Sequence, residues 1–207
     1  MPNLDKIYLY RMTHIENVPH ILQYGITHST SPNANPAFVP IGDGSLIRTR
    51  SNFRLDCGRR LGDYIPLCFG VRMPMLYVIQ KGYNFVTHTP ARDIVYCVTS
   101  VGKIMAQKLD FVFTDGHAVD SFTTQYGVAD ITSIDTLLDK KAIDAKYWKD
   151  ENDLDLKRRK EAEFLVMGDI AAAAIINYSV INHHAKARLE AYGVNEDKIQ
   201  VQPQYYF

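Results

Sequence analysis

Four small groups of residues in this 207-residue chain carry side chains fit for chemistry. Glu163 stands in KEAEFLV, at the front of an apolar run and just behind the basic run at 157–160. A carboxylate there could stabilise a cationic, oxocarbenium-like sugar or accept a proton from an attacking group. On residue type and position alone, a solvated carboxylate paired with the nearby lysines is the simpler reading. Arg50, within IRTRSNF, could reach a pyrophosphate, because a guanidinium fork matches phosphate oxygens in a bidentate way. Its plain alternative is one more arginine on a charged surface. Thr13 and His14 follow a short β-rich run, where a polar turn could meet the amide or ribose of a nucleotide. A helix cap with a satisfied histidine explains the same residues. Asp115, His117 and Asp120 in FTDGHAVD invite a metal reading. However, the pattern is short and common, and no second cluster at ligand spacing joins it, so no metal is expected. His117 could instead contact a base or phosphate.

Basic and aromatic residues are interleaved between these groups. Residues 46–60 hold five arginines against one aspartate, a local charge of +4. Phe38, Phe53 and Tyr64 lie among or beside Arg48, Arg50, Arg54, Arg59 and Arg60. Single-stranded nucleic acid is bound in this way, with bases stacking on rings and arginines following the backbone. The same aromatics would serve equally as core. No glycine-rich phosphate loop, GxSxG, HExxH or GxGxxG is present.

The elements that must position these residues read as many short strands and a few helices. Strands are predicted over 7–12, 63–69, 94–100, 111–115, 162–167 and 175–182, with a last one in IQVQPQYYF at the end of the chain. Helices are predicted over 16–25, capped by Thr13 or Glu16 and ended by Gly25, over 101–109, and in HAKARLEAYG ended by Gly193. Residues 29–45, with three prolines and two glycines in its span up to Gly44, read as a long loop of the kind used as a lid or binding loop. The class is α+β, a split and mainly antiparallel sheet with helices alongside.

Composition is that of an ordinary globular protein, 46% hydrophobic and 22% charged, with a formal net charge of zero. A protein holding duplex DNA by bulk charge would be more basic, so nucleic-acid contacts must come from local clusters. The length suits one domain over 1–207. The N-terminal residues are too polar for a secretory leader, and no apolar run reaches the ~18 residues of a membrane span. Three widely spaced cysteines (Cys57, Cys68, Cys97) fit reduced thiols, and together these features predict a cytoplasmic protein. No sign of a stable homo-oligomer is present, so a monomer is expected. Unaided, the residues support an α+β domain with nucleotide binding as an open option.

Several stretches taken together resemble the DarT family, the DNA ADP-ribosyltransferase toxins of bacterial toxin–antitoxin systems. They are YRMTHIENVPHIL (10–22), IGDGSLIRTR (41–50), LGDYIPLCF and VRMPMLY (61–77), FVFTDGHA (111–118) and RRKEAEFLV (158–166), with QYYF at the end. The pieces lie in family order over nearly the whole chain. The resemblance implies an ADP-ribosyltransferase-like split β-sandwich with flanking helices and NAD⁺ as co-substrate in its cleft. It implies Glu163 and Arg50 as the catalytic pair, with Arg50 also on the NAD⁺ phosphates. Arg11, Thr13, His14 and Met75 would complete the NAD⁺ site, and residues 29–48 would cover it. His117 would lie near the DNA, with Arg48, Arg54 and Tyr64 orienting a single strand. The implied acceptor is thymine or guanine in single-stranded DNA, and the implied partner is an antitoxin, a macrodomain-type or related ADP-ribosyl glycohydrolase. Transfer to protein or RNA, or a non-catalytic NAD⁺- or DNA-binding module, are the alternatives. The sequence departs from the family where Cys68 stands in place of a frequent aromatic, and where Arg11 replaces a histidine found in some members.

Overall fold

The computed structural model describes residues 2–207, apart from the Leu46 side chain. Its strands are β1 (Tyr8–His14), β2 (Tyr64–Cys68), β3 (Ile94–Ser100), β4 (Phe111–Thr114), β5 (Gln125–Tyr126), β6 (Glu163–Met167), β7 (Asn177–Val180) and β8 (Ile199–Val201). They hydrogen-bond in the order β5-β4-β6-β2-β1-β3-β7-β8, an open, mixed sheet in an α+β fold. All neighbours are antiparallel except β7 and β8, which run parallel and are joined across helix His183–Ala191.

The pairing is uneven along this order. β1 matches β3 over seven residue pairs, Tyr8↔Ser100 to His14↔Ile94, and β2 matches β6 over five, Tyr64↔Met167 to Cys68↔Glu163. β1 and β2 meet at one pair only, Tyr10↔Cys68. The expected split therefore takes the form of two half-sheets joined by a single rung. Arg11 adds a side-chain tie across this seam, donating from Nη1 to the carbonyl of Pro66 at 3.0 Å. Both faces of the sheet are covered. Leu9, Leu67, Val95, Phe113, Phe164 and Tyr178 belong to one core shared by the two halves. Met12, Leu76, Ile79 and Tyr96 pack with Tyr206 in a second, and Leu55, Leu61, Tyr64 and Leu165 in a third. Strands buried on both faces explain why IVYCVTS reads as a continuous apolar run, with all seven residues buried.

The flanking helices are α1 (Val18–Tyr24), α2 (Gly44–Ser51), α3 (Pro74–Lys81), α4 (Val101–Met105), α5 (Ile134–Leu137), α6 (Lys140–Asp144), α7 (Leu156–Lys160) and α8 (His183–Ala191). Three expectations shift here. Neither Thr13 nor Glu16 caps the first helix: His14 caps the 3-10 turn Ile15–Asn17 that leads into it, its Nδ1 accepting the Glu16 N–H at 3.3 Å, and α1 itself begins after Asn17 with no side-chain cap. α4 stops at Met105, short of 109, where Lys108 takes a positive φ. The terminal strand ends at Val201, and Pro203 opens a short 3-10 turn.

The expected loop begins after Ile26 and ends at Asp43, where α2 starts. Asp43 caps that helix, its Oδ1 accepting the Ser45 N–H at 2.8 Å. The loop is tethered at both ends. Asp169 accepts the His28 N–H at 2.8 Å and the Ser31 hydroxyl at 2.5 Å, and Nε2 of His28 bonds the Gly62 carbonyl at 2.8 Å. Near the other end the Asn17 amide grips Val39 twice, accepting its N–H and donating to its carbonyl, both at 2.8 Å. Gly25 makes the first tether possible. It sits at φ 80° and ψ −165°, a region open only to glycine, with Ile26 and Ile170 bridged beside it. A Cβ there would lie 2.0 Å from the Ile170 carbonyl oxygen. Gly25→Ala is therefore expected to lower unfolding free energy by about 1–3 kcal/mol from backbone strain alone, read as a fall in the denaturant midpoint.

Candidate active site

β6 opens at Glu163, whose side chain is buried, in register with Cys68 of β2. A buried carboxylate must be paired or hydrogen-bonded to remain charged. Both of its oxygens are held. Oε2 accepts from Nη2 of Arg50 at 2.6 Å, and Oε1 accepts the backbone N–H of Ala118 at 3.1 Å. The simpler reading, a solvated carboxylate beside lysines, is thus replaced. The basic run that precedes it is engaged elsewhere: Arg158 holds Asp155 and Asp115, and Arg159 holds Asp139, Asp153 and Asp155. Lys160 is fully buried on three carbonyls, of Ala145, Ile143 and Val71.

Arg50 reaches Glu163 from the last turn of α2. Its other terminal nitrogen, Nη1, meets Nε2 of His117. Burial holds His117 below the ordinary histidine range despite the nearby Glu163, and the charges of Arg50 and Lys157 add to the effect. The imidazole is therefore neutral near pH 7, with Nε2 as acceptor and the proton on Nδ1. One guanidinium thus bridges a carboxylate and an imidazole from different parts of the chain. Arg11 is a second guanidinium within electrostatic reach of Glu163 and Arg50, and burial works against its charge. Two guanidiniums around one carboxylate leave the cleft net positive, suited to the phosphates of a dinucleotide.

His117 and Ala118 belong to the segment between β4 and β5, which folds back on itself. The Thr123 hydroxyl donates to the His117 carbonyl at 2.9 Å, the Asp120 N–H to the same carbonyl at 2.9 Å, and the Thr124 N–H to Asp115 at 2.9 Å. Nη1 of Arg158 fastens Asp115 from α7, the helix that leads into β6. Thr114 completes the frame: its Oγ1 accepts the Glu163 N–H at 3.1 Å and donates to the Gly116 carbonyl at 2.6 Å.

Thr13 and His14, expected in a turn, form the end of β1, which is polar but internally satisfied. Thr13 is buried and its Oγ1 accepts from Nδ2 of Asn17 at 2.9 Å, while His14 caps the following turn. Asn17, which sequence reasoning missed, thereby links the end of β1 to the loop before α2 at Val39. Met75 is partly exposed at the start of α3, with its sulfur close to Gly42 at the end of that loop. The Cys68 thiol is pushed up to about 12 by burial and by the Glu163 charge, so it stays protonated and is no nucleophile. Among the described residues, no group of three or more His, Cys, Asp or Glu gathers in a way that could hold a metal ion.

One expected DNA-facing residue is corrected. Tyr64 is 5% exposed and packs with Leu55, Leu61 and Leu165, so it offers no face to a base. Arg54 turns its guanidinium onto the Gly58 carbonyl of its own turn, at 2.9 Å. Arg48 is exposed on α2. Glu161, also missed, has its carboxyl lifted to about 7, by burial first, with Lys157 opposing and Glu163 adding to the lift. Its folded value exceeds the unfolded one, so the stability that goes with the protonated form is complete below pH ~4.3 and is lost as pH rises through about 7. Glu161→Gln is expected to be more stable than the wild type at pH 8 and equal to it at pH 4, checked by urea midpoints at both values.

Residues 10–207 match the family described as "ssDNA thymidine ADP-ribosyltransferase, DarT". A DNA ADP-ribosyl transferase from Thermus sp. strain 2.9 is 34% identical over 162 residues, covering 76% of this chain and 73% of the relative. A DNA ADP-ribosyl transferase–DNA ADP-ribosyl glycohydrolase fusion protein from Thermosipho africanus is 30% identical over 196 residues, 94% of this chain and 47% of the fusion. The solved structure of Thermus sp. 2.9 DarT in complex with ADP-ribosylated ssDNA superposes with a TM-score of 0.79 at 27% identity, covering 100% of this chain and 98% of that one. The same protein in complex with NAD⁺ superposes with a TM-score of 0.76 at 27% identity, covering 100% of this chain and 99% of that one. With its split sheet and its part-buried Glu163–Arg50–His117 cluster, the chain belongs to the DarT family of DNA ADP-ribosyltransferases.

Proposed function

We propose that this chain transfers ADP-ribose from NAD⁺ to a base of single-stranded DNA, with Glu163 and Arg50 as its catalytic pair. The observation that carries this reading is Glu163, buried and held at both oxygens. The pyrophosphate lies against Arg50, and the nicotinamide against Arg11, Thr13 and His14 at the end of β1. The segment 29–48 and Met75 cover the dinucleotide. When the bond between C1′ and the nicotinamide nitrogen breaks, its electron pair leaves with neutral nicotinamide and positive charge develops on the ribose. Glu163 faces that charge in an environment already ordered to hold an anion. A ring or exocyclic nitrogen of the base bonds to C1′, and its proton passes to Glu163. The products are an ADP-ribosylated base, nicotinamide and a proton. His117 holds Arg50 in place, and Arg48 lies on the path of the strand.

The adduct blocks templating, so the chain acts as a toxin inside the bacterial cell. The glycohydrolase fused to the Thermosipho relative supports an antitoxin of that activity as its partner. Among the described residues, no helix is long and apolar enough to cross a membrane.

Mass spectrometry of single-stranded oligonucleotides incubated with the protein and NAD⁺ tests the reading. One added ADP-ribose is expected, absent in Glu163→Gln, and fragmentation assigns it to thymine or guanine; unmodified DNA in every sequence context would overturn the proposal. Glu163→Gln should lower kcat by about 10²–10⁴. Arg50→Lys should fail almost as badly, because one ammonium cannot span Glu163 and His117 in fixed geometry. Protonated His117 cannot accept from Arg50, so activity should persist as pH falls through the ordinary histidine value of about 6.5 and decline only below it. His117→Gln, which keeps an acceptor and does not titrate, should lose that acid limb in a pH–rate profile.

A further inference from the structure

Phe122 stands on the segment between β4 and β5 with 81% of its surface exposed. It takes part in no ring pair and no core cluster among the described residues. An exposed phenyl ring forgoes the stabilisation that burial would give it, so a mobile loop would be its ordinary place. Here the surrounding backbone is fixed instead. The Phe122 N–H donates to Oδ1 of Asp120 at 3.0 Å, and the Thr123 N–H to the Asp120 carbonyl at 3.0 Å. Thr123 ties the segment back to His117, and Arg158 holds Thr123 and Asp115 from below. The ring is thus presented on a frame that shares its roots with Ala118 and His117, the two groups touching Glu163 and Arg50.

Its surroundings are polar: Asp120, Ser121, Thr123 and Thr124 flank it. A protein-binding surface needs a contiguous apolar patch of several hundred Å², which one ring among polar side chains does not supply. One aromatic face in a polar frame matches a single nucleobase. The segment doubles back through Thr123, so Phe122 stands one residue from the bond that ties it to the His117 carbonyl. The acceptor base must reach buried Glu163, whereas the Phe122 ring lies at the surface, so the base on the ring is a different one.

We infer that Phe122 stacks on a base flanking the acceptor and thereby sets the strand's position over Glu163. This assignment rests on the proposed single-stranded DNA reading. It makes Phe122 a positioning and selectivity residue for the strand, with no part in bond making.

The experiment combines two changes. Wild-type protein and Phe122→Ala are assayed with NAD⁺ on a modifiable oligonucleotide, intact or carrying an abasic site at each position next to the acceptor. For the wild type, one abasic position should raise KM for DNA by about tenfold or more, the range of a lost base–aromatic stack. Phe122→Ala should raise KM for the intact strand by a similar factor and be indifferent to that abasic site. Phe122→Trp should restore both the low KM and the abasic penalty. NAD⁺ binding measured without DNA reports that the variants are folded. An unchanged KM in Phe122→Ala, or an abasic penalty that survives at every flanking position, would overturn the assignment. Wild-type protein that modifies no strand at all would sink the DNA reading itself, a separate outcome.

Discussion

The arrangement depends on one buried ion pair, Arg50 with Glu163, whose side chains are 17% and 6% exposed. Stability alone does not explain it. Replacing a buried pair with well-packed apolar residues is often neutral or favourable, whereas removing one partner leaves an uncompensated charge and costs about 3–5 kcal/mol. A fold that keeps both charges commits itself to supplying every remaining hydrogen bond. Beyond the bond that joins the two, a second comes from the backbone of Ala118 and a third from His117. The carboxylate is therefore held in place before any substrate arrives, and it faces reaction without waiting for its surroundings to reorganise.

That commitment propagates outward as a closed circuit. Arg50 depends on α2, and α2 begins where the tethered loop ends. His117 and Ala118 depend on the folded segment between β4 and β5. Arg158 braces that segment from α7, and α7 delivers the chain into β6 and so to Glu163 again. Thr114 closes the shortest path, bonding the Glu163 backbone and the Gly116 turn with one hydroxyl. The basic run at 157–160 turns out to be scaffolding: its arginines are spent on aspartates and its last lysine on carbonyls.

Seven of the eight strands and the α+β class were legible because β-rich runs such as IVYCVTS stand between clear breakers, whereas β5, two residues long in a polar stretch, was not. The site was legible only through motif order. Glu163 and Arg50 are 113 positions apart, and nothing within KEAEFLV reports that its partner is an arginine from another element. Tyr64 misled because a short strand beside a proline gives no periodicity from which to choose a face, and its neighbours in space, Leu55 and Leu165, come from distant segments. Asn17 carried no signal, since an asparagine in a helix-leading turn reads as a cap, whereas here it grips Val39. The start of α2 could have been found from Asp43–Gly44–Ser45, a capping sequence obscured by the arginines behind it.

The single rung between β1 and β2 has a consequence for how this site can drift. Past Tyr10, β1 is bound to β3 on one flank only, so the sheet contains an edge in its own interior. Main-chain donors and acceptors along such an edge can be offered to a planar amide, and no side-chain replacement removes them. Contacts made by the peptide backbone are inherited with the fold rather than with the residue. An arginine at position 11 and a cysteine at 68 can stand where relatives differ without erasing what the strand itself provides, which gives this corner of the protein latitude that Glu163 and Arg50 lack.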